Sequence, residues 1–501
     1  MKMVSVLALT ALFAASASAL KLNGRELPKD FKYGCGVSAY QVEGAWNADR
    51  KSASIWDRFA QMPGKTEKGQ NGNVAMDFYH SYAKDIPLFF SATGIKTFDT
   101  TLAWTRILPQ GTGKTANKAG IDYYRRVAQA THKAGGTFTA TLYHWDLPEA
   151  LQQRYKGWVS PKIVDDFGNY ARVAMTALGD VVDEWISLNE PRTFCTEGYG
   201  PEPVSAPGYN GTLIDQYRCF HHALLAHARA AEVFADLKKQ GKVKGKFSIK
   251  IDGAPAKPFD PKSKKDQEAA TRIMDMQETG WALGPLTTGD YSHSLREAFG
   301  KDLPQFTKQE SESLMRSYDS VYYDVYTSVY AKHIDGCKRG DDTWPFCVEE
   351  TSDKNGKPIG KPTGSDWNFL VDDTLYSGLH YMHDRWGLKK PLIVGETGLA
   401  VKGGDKQSLA QKLNDKDRVE WYRTYFAQMD RIFKEGNTVN LQGFTFWSCI
   451  SNFEWHSGYG PDFGVIYAPP GANKPRHVKN SAHYLKDVLV HGLSSASTKW
   501  G

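Results

Sequence analysis

W-I-S-L-N-E-P (residues 185–191) and P-L-I-V-G-E-T-G (residues 391–398) decide the reading of this chain. Each is a short apolar run with strand character that ends in a carboxylate and then meets a turn-forming residue. In a barrel of alternating strands and helices, the strand ends are where catalytic groups project. Two glutamates so placed, Glu190 and Glu396, are what glycoside hydrolysis requires: one acid/base and one nucleophile. They lie far apart in sequence, so only a closed barrel that turns strand four toward strand seven brings them together.

The pattern around these stretches extends the barrel along the chain. A short apolar strand, a loop and a longer amphipathic stretch recur, which is the βα signature. Eight strands are predicted at residues 33–37, 97–104, 137–143, 184–188, 247–251, 321–326, 392–394 and 443–447. Helices are predicted between them, at 120–134, 161–178, 217–237 and 417–434 among others. There is no Pro/Ser-rich linker, low-complexity tract or internal repeat. The expected fold class is therefore α/β, a single (β/α)8 TIM barrel with extended loops, running as one catalytic domain over residues 20–501.

The first nineteen residues read as a lysine, an apolar run and Ala17-Ser18-Ala19, the pattern of a cleaved signal peptide. That run is too short for a membrane span, and no later segment approaches span length. A secreted, extracellular protein is expected. The net charge of +6 over 501 residues is slight, and no basic cluster interleaves with aromatics, which excludes nucleic acid as a partner. A 13% aromatic share, with 14 Trp and 25 Tyr, fits either carbohydrate stacking or a large aromatic core.

Six cysteines in an oxidising compartment permit disulfides. Cys195 and Cys219 flank one Gly/Pro-rich loop and Cys337 and Cys347 another, so each couple is expected to pair. Cys35 and Cys449 fall on the first and last strands, which are neighbours in a closed barrel. They either bond or sit as buried thiols, and buried thiols are the favoured reading. No spacing resembles a zinc site. Asn210-Gly211-Thr212 is an N-glycosylation sequon.

At this point the chain resembles family 1 glycoside hydrolases, the β-glucosidase-like group, from about residue 27 to about residue 487. The similar stretches are F-K-Y-G-C-G-V-S-A-Y-Q-V-E-G, W-T-R-I-L-P, L-Y-H-W-D-L-P, S-L-N-E-P, H-A-L-L-A-H-A, T-T-G-D-Y, L-P-Q-F-T, E-T-G and F-W-S-C-I-S-N-F-E-W, in the family's order. The resemblance implies a retaining β-glycosidase in which Glu190 is the acid/base, Glu396 the nucleophile and Tyr326 a contact of the nucleophile. It implies that Gln41, His144, Trp447 and Glu454 hold the nonreducing sugar, with Trp455 adding stacking. It places Asn189 at the sugar 2-hydroxyl and Trp367 on the leaving-group side. Gln41, His144 and Glu454 suit equatorial 3- and 4-hydroxyls, so a terminal β-D-glucosyl residue of a small glycoside or oligosaccharide is the expected substrate. No metal or organic cofactor is implied, no membrane partner is expected, and the motifs leave the oligomeric state open.

The chain also departs from the family. Asp99 stands where an arginine usually lies against the nucleophile. Asp324, a substrate-binding candidate, stands where the family has asparagine. Three carboxyls in one pocket cannot all ionise cheaply. Four outcomes follow. Asp99 and Asp324 share a proton; the acidic pocket takes an amino sugar; the protein binds sugar with little turnover; or Asp99 turns away from the pocket. A transglycosidase would carry the same motifs. The thioglucosidase branch usually lacks the acid glutamate, and Glu190 argues against it.

Overall fold

The computed structural model describes residues 20–401 and 407–489. The proposed signal segment lies outside the described residues. Eight parallel strands close into a barrel: β1 (Lys32–Val37), β2 (Thr97–Thr101), β3 (Thr137–Tyr143), β4 (Glu184–Asn189), β5 (Phe247–Asp252), β6 (Ser320–Asp324), β7 (Leu392–Glu396) and β8 (Leu441–Trp447). Each pairs with its sequence neighbour, and β8 returns to β1 with Phe446 opposite Cys35. Eight helices are relevant to the outer layer: α1 (Phe78–Thr93), α2 (Lys118–Lys133), α3 (Lys162–Leu178), α4 (Leu213–Lys239), α5 (Lys264–Met276), α6 (Thr279–Thr288), α7 (Thr374–Trp386) and α8 (Lys416–Lys434).

All eight expected strands exist, but two end sooner than expected. β2 stops at Thr101 rather than at residue 104. The Ala103 amide leaves the sheet to donate to Tyr124 Oη at 2.7 Å, and Trp104–Ile107 coils into a helical turn. β6 stops at Asp324, because Val325 N makes a last bond to the Glu396 carbonyl at 3.0 Å. Tyr326 is thereby freed to face the barrel mouth.

The strands alternate between two unlike environments. Outward residues such as Phe98, Phe138, Ile249, Val321 and Phe444 are buried against the helices. The helices answer with stripes at three- and four-residue spacing; on α2 these are Ile121, Tyr124, Val127, Ala128 and Thr131. α4 begins at a capping box, where the Thr212 hydroxyl accepts from Asp215 N and the Asp215 carboxylate from Thr212 N. Inside the barrel, where branched apolar side chains usually dominate, this chain places a polar layer. Lys32 is ion-paired with Glu184, which also accepts from Tyr322 Oη at 3.0 Å, and Ser248 meets Ser320 at 2.6 Å. Above them sits a thin apolar cluster of Ile186, Tyr322 and Ile393, and then the site.

Cys195–Cys219 and Cys337–Cys347 are bonded as expected. Cys35–Cys449 is also a disulfide, which corrects the buried-thiol reading. The reason is register. The β8–β1 ladder continues past Trp447, with Cys449 N donating to Gly36 O at 3.1 Å, and this holds the two Cα atoms 5.3 Å apart, within disulfide reach. Among the described residues, no helix is long and apolar enough to cross a membrane.

Candidate active site

A cavity of about 240 Å³ opens at the C-terminal end of the barrel. Glu190 and Glu396 both reach it from the ends of β4 and β7, and both strands carry a register shift just before the glutamate. Such irregularities re-aim a side chain. Glu190 also has φ +48° and is followed by Pro191, which opens the helix Pro191–Tyr199. Gly395 precedes Glu396 for lack of space: a Cβ there would lie 2.5 Å from Asp324 Oδ1 and 3.2 Å from Lys250 Cγ. One carboxylate oxygen from each of Glu190, Asp324 and Glu396 falls within 4.8 Å of the others.

Glu396 is held at both oxygens. Tyr326 Oη donates to Oε2 at 3.0 Å, and Lys250 Nζ donates to Oε1 at 3.2 Å. Lys250 also donates to Asp99 Oδ2 at 3.0 Å, and Thr141 Oγ1 donates to Asp99 Oδ1 at 3.2 Å. Asp99 therefore points into the barrel and bonds a lysine. It does not share a proton with Asp324, and it has not turned away. Lys250 was missed in the sequence. Its signal was the alternation Ser248, Lys250, Asp252 along β5, which puts three polar side chains on the inner face.

Asp324 is buried, and among the described residues neither of its oxygens has a hydrogen-bond partner. Burial pushes its carboxyl well above the usual range, Glu396 adds to this, and Lys250 opposes it. The Glu190 carboxyl is also raised well above its ordinary value, first by burial and then by Asp252 and Glu396. Burial raises Glu396 too, but the Lys250 ammonium and the Tyr326 hydroxyl pull it back. The environments thus separate the pair: Glu190 favours its neutral form, and Glu396 is the better supported anion. This trio is also the one set of described groups close enough to share an ion. Carboxylates backed by a buried ammonium are not the donor set of a zinc or copper centre.

The other expected residues converge on the same space. Gln41, His144, Trp447, Glu454 and Trp455 line the cavity, and Trp367 stands at its mouth, 51% exposed. Gln41 Nε2 donates to the Phe453 carbonyl at 2.9 Å and reaches Glu454 Oε2 at 3.4 Å. Burial lifts Glu454 to about 8 and depresses His144. The rings of Trp447 and Trp455 lie 5.9 and 5.7 Å from that of His144. Asn189 is the exception: it is fully buried behind His144, 3.4 Å from Nε2, and does not line the cavity. The sequence reading also missed Arg192, Glu197 and Asp252 on the outer wall. Arg192 Nε donates to Asp252 Oδ2 at 2.7 Å. Its position two residues after Glu190 was the available signal.

Comparison with known proteins agrees with this geometry. The family model described as glycosyl hydrolase family 1 matches residues 23–492. Beta-glucosidase 42 of Arabidopsis thaliana is 35% identical over 92% of this chain and 94% of its own length. Raucaffricine-O-beta-D-glucosidase of Rauvolfia serpentina is 33% identical over 96% and 94%. Among solved structures, a rice β-glucosidase mutant in a covalent complex with Glc superposes with a TM-score of 0.89 at 33% identity, covering 94% of this chain and all (100%) of that one. A β-glucosidase from the fungus Humicola insolens, in complex with glucose, gives 0.87 at 32% identity, covering 94% and 99%.

Proposed function

This chain belongs to glycosyl hydrolase family 1 and is a retaining O-glycosyl hydrolase of the β-glucosidase type, and we propose that it removes terminal β-D-glucosyl residues from small glycosides or oligosaccharides. The observation that carries this reading is the spacing of Glu190 and Glu396, with oxygens within 4.8 Å. Retaining enzymes hold their carboxyls roughly 5–5.5 Å apart, whereas inverting enzymes leave room for a water at roughly 6.5–9.5 Å. In the proposed cycle, Glu190 protonates the glycosidic oxygen as Glu396 attacks the anomeric carbon and forms a glycosyl-enzyme. Glu190, now ionised, takes a proton from water, and that water releases the sugar with its configuration retained. Gln41, His144 and Glu454 hold the ring hydroxyls, Trp447 and Trp455 supply its walls, and Trp367 meets the leaving group. Asn189 acts on the sugar through His144.

The same reading makes residues 1–19 a cleaved signal peptide and 20–501 the secreted catalytic domain, with a glycan on exposed Asn210. The three disulfides support an oxidising destination. One observation favours a second substrate class. The unpartnered Asp324 carboxyl faces the site, where an amino sugar's ammonium would satisfy it. Aryl β-glycosides, including a glucosaminide, assayed from pH 4 to 8 separate these readings. Turnover of the glucoside is expected. Turnover of the glucosaminide alone would transfer the assignment to amino sugars, and sugar binding without turnover would reject catalysis.

A further inference from the structure

The group against Glu396 is not one residue but a buried pair. Lys250 rises from β5 with a side chain 2% exposed, and its ammonium lies between Asp99 on β2 and Glu396 on β7. Asp99 is itself fixed by Thr141 on β3, and Glu396 by Tyr326 beyond β6. A line of hydrogen bonds therefore crosses the barrel, Thr141–Asp99–Lys250–Glu396–Tyr326, and every member is buried or half-buried. The lysine backbone takes part as well, since its carbonyl accepts from Glu190 N at 3.1 Å. Gly395 leaves the room that the lysine stem fills.

We propose that Lys250, tethered by Asp99, is the positioning residue that orients Glu396 and keeps it ionised for attack. The inference rests on the reading of Glu396 as nucleophile. The groups facing Glu396 are Glu190, Asp99, Asp324 and Glu454, all acidic, with Tyr326; His144 and Lys32 stand nearer the lysine and Asp99. Among the described residues, Lys250 is the one cation in contact with Glu396. Without it, a carboxylate must form among carboxyls in a desolvated site, which raises its pKa. Without Asp99, the ammonium itself would be buried with half its partners. The pair is neutral as a whole and directs its positive end at Glu396, a fixed dipole that needs no reorganisation during reaction. One Glu396 oxygen bonds a cation and the other a hydroxyl, so the carboxylate cannot rotate freely.

The test compares Lys250→Met and Lys250→Arg with the parent chain. Carboxyl 13C NMR titration of labelled glutamates, with Glu396 assigned through Glu396→Gln, reads ionisation without turnover. The acid limb of kcat/KM on 2,4-dinitrophenyl β-D-glucoside reads the same group in action. Lys250→Met should raise the Glu396 midpoint by about one pH unit or more and lower kcat about 100-fold, with KM changed far less. Lys250→Arg should hold the midpoint and recover most of the rate. If Lys250→Met fails to fold because Asp99 is left unpaired, the neutral double variant Lys250→Gln with Asp99→Asn replaces it, and an upward shift is again expected. An unchanged midpoint in a folded variant overturns the proposal. If the parent chain cleaves no β-glycoside and Lys250→Met still raises the Glu396 midpoint, the proposed function is overturned while the lysine's hold on the Glu396 charge stands.

Discussion

Glu396 and Asp324 are neighbours in the β6–β7 ladder, yet the structure gives them opposite surroundings. Glu396 has a cation and a hydroxyl; Asp324 has neither. Replacing Glu396 by alanine should cost on the order of 10⁴-fold or more in turnover. Added azide should restore part of it and yield the glycosyl azide of inverted configuration, read by proton NMR. Full activity in that variant would dismiss Glu396 as nucleophile. Asp324→Asn tests a different point. Burial holds the Asp324 carboxyl in its neutral form, so its amide isostere removes no charge and should leave the basic limb of the rate profile, set by Glu190, where it is in the parent. A basic limb lowered in Asp324→Asn would show that Asp324 is ionised beside Glu190. Asp99 shows why residue chemistry alone misleads here. Viewed as a lone acid against the nucleophile, it is one of three carboxyls that cannot all ionise cheaply. Its partner sits on β5, about 150 residues away, and nothing in the local sequence of either residue names the other.

Elements were legible where their signal is local. Each of the eight strands is a short β-branched or aromatic run bounded by turn residues, and each was found; the helices carry stripes of 3.6-residue period. What failed was decided by neighbours. β2 ends where Tyr124, on α2, captures the Ala103 amide. Cys35 and Cys449 bond because the β8–β1 register aligns them, and register is a property of the closed sheet. The Glu190–Glu396 convergence was legible because strand ends in a barrel share one rim, whereas the place of Asn189 behind His144 was not, since it depends on the bulge after Ile186. The Cys35–Cys449 link joins residues 414 apart and fastens the first strand to the segment leaving the last. Constraining so long a loop in the unfolded chain is worth about 2–4 kcal/mol. Cys449→Ser paired with Cys35→Ser should lower the melting temperature, with the kcat/KM acid limb unaltered. A melting temperature equal to the parent's would mean that the barrel closes as firmly without the bond.

Across the whole molecule, buried titratable groups of both kinds set how stability depends on pH. His227 on α4 is fully enclosed, with Nδ1 2.7 Å from Ser187 Oγ and Nε2 2.8 Å from Ser317 Oγ. Burial, helped by Lys390, depresses it to about 3. His221, also buried, is depressed to about 3. The unfolded chain would protonate both near pH 6.5, so their stabilising share is whole above that value and is lost as pH falls toward 3. Each unit below about 6.5 costs up to about 1.4 kcal/mol per histidine. Asp146 and Glu454 act in the other direction. Burial raises Asp146 to about 7 and Glu454 to about 8. Each binds a proton in the folded chain that the unfolded chain has released above about pH 4.5. Their share is therefore whole below that value and is lost as pH climbs through 7 and 8. The two sets oppose each other, and the melting temperature should peak at about pH 5–6 and fall on both sides. Fluorimetric melting at half-unit steps from pH 4 to 9 measures this curve. His227→Gln, which keeps a donor and an acceptor between the two serines, should flatten its acidic side. Asp146→Asn should flatten the alkaline side. An acidic slope unchanged by His227→Gln would mean that the loss comes from paired carboxylates such as Asp462, which Lys479 holds below the usual range and whose ion pair fails on protonation.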